Sequence, residues 1–182
     1  MPHALRWVLF LPRGPHSAAN LQHILQPRGG ERVLEIGPGV GIHSIPIAAA
    51  LAPDGVLEAL DAQPKMLADL SRRAAAAGVH NVTATPGDAQ HLPYPDRAFD
   101  AAYLIGVLGE IPDRTAALRE LHRVLKPKGR LVVGEVVLDP DYVPLGTLRK
   151  LAAEAGFVFE RHRGPWFSYF ARFRSESGPP TP

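Results

Sequence analysis

V-L-E-I-G-P-G-V-G, residues 33–41, joins a short apolar run to three glycines spaced G-x-G-x-G. The run over residues 32–36 is typical of a buried strand, and residues 41–51 then predict a helix. Glycines between a strand and a helix allow the backbone to approach a ligand closely. The pattern therefore indicates a ligand-binding turn, and the alternative is a tight strand–helix turn that binds nothing.

The spacing of these glycines argues against a dinucleotide. A dinucleotide-binding turn requires G-x-G-x-x-G with a small residue at the position that Ile42 occupies here. Glu35 precedes the first glycine and would place a negative charge beside a pyrophosphate. An acidic group at this position instead suits a ligand that carries a positive charge.

Strands and helices alternate along most of the chain. Besides those at the glycine turn, the patterns predict strands at residues 56–61, 82–85, 98–105 and 130–138, and helices at residues 64–78, 114–125 and 146–156. This alternation indicates a mostly parallel sheet that is covered by helices on both faces. Two final strands, residues 157–161 and 167–174, are joined by too few residues for a crossover helix, so we expect them to be antiparallel.

Two further acids follow predicted strands, at the edge of the sheet where the glycine turn lies. Asp61 ends the second strand, where a carboxylate can accept both hydroxyls of a ribose, although it could equally cap the next helix. Asp88 follows the third strand, where it could accept an exocyclic amine of a base or only stabilise a turn. Neither residue alone distinguishes between these alternatives.

As an ordered set, these segments resemble the class I S-adenosylmethionine-dependent methyltransferases, in particular the small methyltransferase type 11 branch, which is ubiquinone- and menaquinone-biosynthesis-like. The glycine turn resembles the first family motif, and L-D-A-Q-P-K-M-L, residues 60–67, resembles the second. Residues 87–100, G-D-A-Q-H-L-P-Y-P-D-R-A-F-D, and residues 118–131, L-R-E-L-H-R-V-L-K-P-K-G-R-L, resemble the later ones. The resemblance implies an α/β fold: a Rossmann-like three-layer αβα sandwich whose mostly parallel seven-stranded sheet ends in an antiparallel hairpin.

The resemblance also implies S-adenosylmethionine (SAM) as the cofactor and S-adenosylhomocysteine as its product. Glu35 and the glycine backbone would hold the methionine part, Asp61 the ribose hydroxyls and Asp88 the adenine amine. The complete implied set of cofactor-binding residues is Glu35, Gly37, Pro38, Gly39, Gly41, Asp61, Ala62, Met66, Asp88, Ala89, Leu104 and Ile105.

The residue types also limit the chemistry. The sequence has no cysteine, which excludes methyl transfer through a covalent thiolate, and its eight histidines lack metal-ligand spacing, so we predict no metal. Glu110, after the fourth strand, is the candidate general base, or else an acid in the first turn of a helix. His43 lies near the glycine turn, where such a residue more often sits on a helix surface. Residues 139–142, D-P-D-Y, predict a turn and a helix start, or a rim of the substrate pocket.

The net charge of +2 is unevenly distributed. Residues 1–30 carry three arginines and no acid, and residues 161–182 carry four arginines and one glutamate. The intervening residues carry 13 basic and 17 acidic groups. We divide the chain into an N-terminal helical lid segment (1–30), a SAM-dependent methyltransferase core (31–175) and a disordered tail (176–182).

The lid is expected because no insertion between the predicted elements is long enough for a cap. Apolar residues 7–11 beside Arg6 and Arg13 suit a cover over a hydrophobic substrate or a peripheral membrane contact, and alternatively a helix packed on the sheet. An apolar site with a basic rim suits a small or lipid-like methyl acceptor, whereas the small net charge makes nucleic acid a weaker fit.

Several functional alternatives remain open from the sequence. They are a methyltransferase acting on RNA or protein, a non-catalytic SAM-binding module and a NAD-binding oxidoreductase. No targeting or spanning segment is visible, and together with the absence of cysteine this favours the cytoplasm. The sequence leaves the acceptor atom and the oligomeric state open.

Overall fold

The computed structural model of the protein describes residues 16–176, and these residues form a seven-stranded sheet with helices on both faces. The strands are β1 (Arg32–Ile36), β2 (Val56–Asp61), β3 (Val82–Pro86), β4 (Phe99–Ile105), β5 (Leu125–Val136), β6 (Phe157–Arg163) and β7 (Ser168–Ser175). The helices are α1 (Ala18–Leu25), α2 (Ser44–Leu51), α3 (Pro64–Ala76), α4 (Arg114–Val124) and α5 (Leu145–Glu154), with a 3-10 turn at Leu108–Glu110.

The strand order is β3-β2-β1-β4-β5-β7-β6, and it confirms the predicted fold class. Strands β1 to β5 are parallel to one another, whereas β7 runs antiparallel to both β5 and β6. The order reverses between β1 and β4, and ligands of such sheets bind where the carboxyl ends of the strands meet this switch point. The terminal hairpin is therefore antiparallel, as predicted.

Local sequence signals explain where several helices begin and end. Pro64 opens α3, where its missing N–H costs nothing, and Gly78 follows the helix with a φ of +68°. The side chain of Asp113 caps α4 by accepting a hydrogen bond from the backbone N of Ala116 at 2.9 Å. Ser17 caps α1 in the same way, accepting from the backbone N of Asn20 at 3.3 Å.

Two apolar clusters, one on each face of the sheet, form the core. The first packs α4 and α5 against the sheet through residues such as Leu118, Leu148 and Leu104. The second packs α1 and α2 against the other face through residues such as Leu21, Ile47 and Tyr103. Helix α1 is thus a buried member of one helical layer, in contact with β5 and β7.

The predicted element bounds lie within three residues of the observed ones except at the start of β5. This strand was expected at residues 130–138 but spans Leu125–Val136, because Leu125 pairs with Phe99 before the ladder resumes at Arg130. Helix α2 begins at Ser44 rather than residue 41, since Gly41 has a φ of +82°, which no helical residue adopts.

Parts of the predicted lid and tail lie outside the described residues. These are residues 1–15, with the apolar run at residues 7–11, and residues 177–182. The lid and tail assignments therefore stay predictions. Among residues 16–176, no helix is both long and apolar enough to cross a membrane.

Candidate active site

A cavity of about 560 Å³ lies at the carboxyl edge of the sheet, over the switch point between β1 and β4. This volume is within the range of roughly 300–1,000 Å³ that small-molecule sites occupy. The ends of four strands contribute Ile36, Asp61, Ile105 and Val136 to its wall. Of the predicted cofactor residues, the cavity is lined by Glu35, Gly37, Pro38, Gly39, Asp61, Ala62, Met66, Asp88, Ala89 and Ile105.

The glycine turn forms the floor of one half of this cavity. The backbone N of Gly37 donates a hydrogen bond to the carbonyl of Leu60 at 2.8 Å, which ties the turn to β2. Gly37 has a φ of +67°, and a Cβ there would lie 2.5 Å from the side chain of Val107. Glycine therefore suits position 37, where the backbone lies between the cavity and the loop that joins β4 to α4.

Two predicted cofactor residues, Gly41 and Leu104, do not line the cavity. A Cβ on Gly41 would lie 2.6 Å from the side chain of Leu70, so this glycine permits the turn to pack closely on α3. Leu104 is fully buried in the core. The structure places both residues behind the cavity wall, and their proposed cofactor contacts stay predictions.

Glu35 is an acid buried beneath the glycine turn, with 3% of its surface exposed. Burial raises the pKa of its carboxyl to about 7, and the nearby hydroxyls of Ser44 and Tyr103 partly oppose this shift. Its Oε2 atom and both of those hydroxyl oxygens are buried without a hydrogen bond of good geometry among the described residues. An orphaned carboxylate oxygen beside a ligand cavity fits the amino group of a methionine-like cofactor.

Asp61 lines the cavity at the end of β2. Its Oδ1 atom accepts a hydrogen bond from the backbone N of Gln63 at 2.8 Å, and Gln63 rather than Asp61 occupies the N-cap position of α3. The cap interpretation of Asp61 is therefore not the one observed. Its place on the cavity wall is compatible with the predicted contact to ribose hydroxyls.

Asp88 also lines the cavity but is largely exposed. Its Oδ1 atom accepts from the backbone N of Gln90 at 2.8 Å, and both of its oxygens accept from the Gln90 side chain at 3.0 Å. The hydrogen bond from the Gln90 backbone lowers the pKa of the Asp88 carboxyl, so it is a charged acceptor. Asp88 therefore stabilises a turn, which is one of its two predicted roles, and its contact to adenine stays a prediction.

Two histidines line the other half of the cavity, and sequence patterns did not assign either of them to the site. The Nε2 atom of His16 lies 2.9 Å from the backbone oxygen of Glu135, and that of His43 lies 2.9 Å from the backbone oxygen of His16. A carbonyl oxygen only accepts hydrogen bonds, so both rings carry their proton on Nε2 and leave Nδ1 as an acceptor.

Burial keeps these two rings neutral at physiological pH. It lowers the pKa of His16 to about 4, and it lowers the pKa of His43 as well. The ring of His16 also rests against Phe170, with ring centroids 4.7 Å apart. His43 was expected on a helix surface, and the structure instead places it at the start of α2 facing the cavity.

A cluster of acidic residues also contributes to the cavity wall. The side-chain oxygens of Glu110, Asp139 and Asp141 lie within 4.8 Å of one another, and Glu110 and Asp139 line the cavity. Glu135 is buried nearby, and burial raises the pKa of its carboxyl to about 7. Residues 139–142 form the predicted turn, α5 begins only at Leu145, and of these four residues Asp139 lines the cavity. Their role as a rim of the substrate pocket stays a prediction. The role of Glu110 as a general base stays a prediction. The expectation that the site binds no metal also stays a prediction.

Comparisons with known proteins agree with this geometry. The family model of the methyltransferase domain matches residues 33–129. A demethylmenaquinone methyltransferase of Geobacillus stearothermophilus is 36% identical over 100 residues, which cover 55% of this chain and 43% of that protein. The 27-O-demethylrifamycin SV methyltransferase of Amycolatopsis mediterranei is 36% identical over 145 residues, covering 79% of this chain and 50% of that protein. The chain thus spans about half the length of the curated relatives it matches.

A solved structure shares the fold over almost the whole chain. The crystal structure of a SAM-dependent methyltransferase from Aquifex aeolicus superposes with a TM-score of 0.80 and covers 96% of this chain and 97% of that one. The two sequences are 19% identical, so this likeness concerns the fold.

Proposed function

The chain belongs to the class I SAM-dependent methyltransferases, and from this membership we propose that it methylates a hydroxyl-bearing small hydrophobic molecule. One observation carries the proposal. A single cavity joins the predicted cofactor residues to two neutral histidines whose Nδ1 atoms can accept a hydrogen bond.

The cofactor half of the cavity suits SAM. When bound, SAM supplies an electrophilic methyl group on a positively charged sulfur. Glu35 would hold its amino group, Asp61 its ribose hydroxyls and Asp88 its adenine amine. The observation that supports this assignment best is that Glu35 Oε2 is buried without a hydrogen bond among the described residues. Burying a carboxylate without a partner costs free energy, and a bound amino group would offset that cost.

The acceptor half favours a small apolar molecule that carries a hydrogen-bond donor. Its apolar wall includes Ile42, Val107, Ile111 and Val136. Its polar side chains are carboxylates and unprotonated ring nitrogens, which are all hydrogen-bond acceptors. A hydroxyl group satisfies such a wall, and the quinone and rifamycin names of the two relatives are in line with a small acceptor.

His16 is the residue best placed to act on that hydroxyl. The Glu135 carbonyl holds its Nε2 proton, so Nδ1 is fixed as an acceptor and can orient the hydroxyl oxygen toward the methyl carbon. As the new O–C bond forms and the C–S bond breaks, the hydroxyl proton passes to Nδ1 and then to solvent. Glu110, which also lines the cavity, is the alternative proton acceptor.

The amino-acid composition bears on the cellular location of the protein. The absence of cysteine is compatible with a reducing compartment, and we propose the cytoplasm.

The proposal is tested with SAM that carries a labelled methyl group. The full chain is incubated with cell extract, which is then separated into organic-soluble molecules, RNA and protein. We expect label in the organic-soluble fraction, and none when Asp61→Asn replaces the wild type. Label confined to RNA or protein would overturn the assignment to a small molecule.

A binding measurement separates the cofactor from the acceptor. SAM should raise the melting temperature of the protein, whereas NAD should leave it unchanged. A shift with NAD and none with SAM would contradict the cofactor assignment, irrespective of the acceptor.

A further inference from the structure

The largest exposed apolar side chains of the described residues lie at one place on the surface. Relative exposures are 42% for Val137, 60% for Leu138, 75% for Trp166 and 43% for Phe167. The first pair follows β5 and the second pair precedes β7. The backbone N of Val137 donates to the carbonyl of Phe167 at 2.8 Å, so the two segments lie side by side. We call these four residues the apolar rim.

The backbone of the apolar rim is held in place by hydrogen bonds. The hydroxyl of Tyr142 donates to the carbonyl of Trp166, and the backbone N of Ser168 donates to the carbonyl of Pro165 at 3.1 Å. The rings of Trp166 and Phe167 pack edge to face, with centroids 5.6 Å apart. The chain therefore fixes two aromatic side chains in an exposed position, where they contribute little to the core.

The apolar rim adjoins the mouth of the cavity. Val136 and Asp139 both line the cavity, and the two rim residues Val137 and Leu138 lie between them in the chain. Since β7 is antiparallel to β5, the turn before β7 comes to the same edge of the sheet as the end of β5. A surface that covered the rim would thus lie next to the acceptor half of the site.

Positive charge flanks the apolar rim. Arg161 and Arg163 are exposed at the end of β6, on the strand that leads into the Trp166 turn. The Nε atom of Arg163 donates to Asn20 at 2.9 Å and leaves the rest of its guanidinium available. Asp141 and Glu110 are exposed acids on the cavity side of the rim, so we expect net attraction to depend on both arginines.

The area of the rim argues against a second copy of the chain as its occupant. A stable dimer buries about 800 Å² on each partner. Four partly exposed side chains provide at most a few hundred square ångströms, because even a whole aromatic side chain buries only roughly 150–250 Å². Apolar side chains beside arginines instead match the interface of a lipid bilayer with anionic headgroups.

We infer that the apolar rim and its flanking arginines dock on an anionic lipid surface, with the cavity mouth beside the bilayer. The docking is inferred from the apolar rim and its flanking arginines, and it goes beyond the proposed function. Only its use, direct uptake of a hydrophobic acceptor from the membrane, depends on that function.

The test uses Trp166 as its own reporter. The sequence has two tryptophans, so Trp7→Phe leaves Trp166 as the single emitter in the full chain. Vesicles of phosphatidylcholine with phosphatidylglycerol should shift its emission to shorter wavelength, and lipids brominated in their acyl chains should quench it. Vesicles of phosphatidylcholine alone should bind much more weakly, and added salt should reverse the binding.

Substitutions in the Trp7→Phe background assign the surface. Phe167→Ser should lower the partition coefficient roughly tenfold, because it removes a large apolar group from the interface. Arg161→Gln and Arg163→Gln should each lower it about fivefold on anionic vesicles. Arg73→Gln is the matched control, because it removes the same charge from α3, which packs at the opposite edge of the sheet, and it should change nothing. Thermal unfolding of each variant checks that it is folded.

Two results would overturn the inference. One is Trp166 emission that anionic vesicles leave unchanged. The other is Trp166 shielded from acrylamide in the absence of vesicles, which would mean that another part of the chain or a second copy covers the rim. The assay contains neither cofactor nor acceptor, so its outcome is independent of the proposed methyl transfer.

Discussion

His43 donates a hydrogen bond from Nε2 to the backbone oxygen of His16 over 2.9 Å, so the start of α2 fixes the position of a residue 27 places earlier in the chain. His16 in turn donates from its own Nε2 to the carbonyl of Glu135. These two hydrogen bonds connect the glycine turn, the segment before α1 and the end of β5. It orients the ring to which we assign the acceptor proton.

The first prediction concerns His16. His16→Phe keeps a ring against Phe170 but removes Nδ1, so turnover should fall by about 10²-fold or more with little change in the affinity for SAM. Because the pKa of His16 is about 4, its protonation should lower wild-type turnover at saturating SAM only below about pH 5. Protonation of Glu35 below about pH 7 should instead weaken the affinity for SAM. His23→Phe, on exposed α1 surface, is the control.

Glu110 provides the counter-test to that assignment. Glu110→Gln should lower turnover less than His16→Phe does, since we assign the proton to His16. The opposite order of the two effects would return the role of base to Glu110. Nitrogen NMR of the histidine rings gives a readout that needs no turnover, because it should show His16 as the Nε2–H tautomer.

The second prediction concerns stability and the burial of Glu35. Its pKa rises from 4.5 to about 7 in the fold, so the folded chain holds this proton more tightly than the unfolded chain. The stabilisation is complete below about pH 4.5, declines as pH rises toward 7 and is absent above that, a loss on the order of 3 kcal/mol. Urea unfolding of the wild type and of Glu35→Gln at pH 5 and pH 8, without cofactor, isolates this difference, because the carboxyl of Glu135 has a similarly raised pKa.

Glu35→Gln separates stability from binding. The variant should be more stable than the wild type at pH 8 by roughly 1–3 kcal/mol and should bind SAM much more weakly. Glu135→Gln is the matched control, because its carboxyl also has a pKa raised to about 7 but does not line the cavity. It should remove a similar but separate share of the pH dependence, that of Glu135, and leave the affinity for SAM unchanged. A loss of SAM binding in Glu135→Gln would contradict the assignment of the cofactor site.

The third prediction concerns Asp61. At a SAM concentration of about 100 times Kd, binding should stabilise the wild type by about 2.7 kcal/mol. Asp61→Asn should remove most of that stabilisation, because an amide cannot accept two hydrogen bonds with a full negative charge. Asp54→Asn, in the exposed turn before β2, should leave the stabilisation intact. An unchanged shift for Asp61→Asn would refute the ribose assignment.

The fourth prediction distinguishes two glycines of positive φ. Gly41→Ala should destabilise the protein by about 1–3 kcal/mol more than Gly78→Ala, as measured by urea unfolding. Both positions strain an alanine backbone, but only at Gly41 does the new Cβ meet a neighbour, the side chain of Leu70 at 2.6 Å. Equal decreases in the free energy of unfolding for the two variants would mean that Leu70 on α3 moves to accommodate the added methyl group.

The sequence alone predicted the strands, the helices and the glycine turn, because these depend on apolar spacing and on turn residues close together in the chain. The packing role of Gly41 was beyond such signals, since it involves Leu70 on a different helix. Likewise, the acidic Glu35 before the glycines indicated a positively charged ligand. The sequence did not indicate how burial changes the protonation of Glu35.

The acceptor half was harder to predict for the same physical reason. His16 reaches the site through a hydrogen bond to Glu135, a residue 119 positions away, and no local pattern marks it. The apolar rim combines the end of β5 with the turn before β7, which look like ordinary strand ends in the sequence. Tertiary contacts create both features.

The placement of β7 between β5 and β6 has a consequence for the newly made chain. As the ribosome releases the protein, β5 is complete long before its final neighbour exists, and β6 has no place in the sheet until β7 has been synthesised. Until then β5 is an open edge, able to pair with other chains. The same step brings Trp166 and Phe167 to the cavity mouth, so the rim of the site is assembled only after β7 has been synthesised.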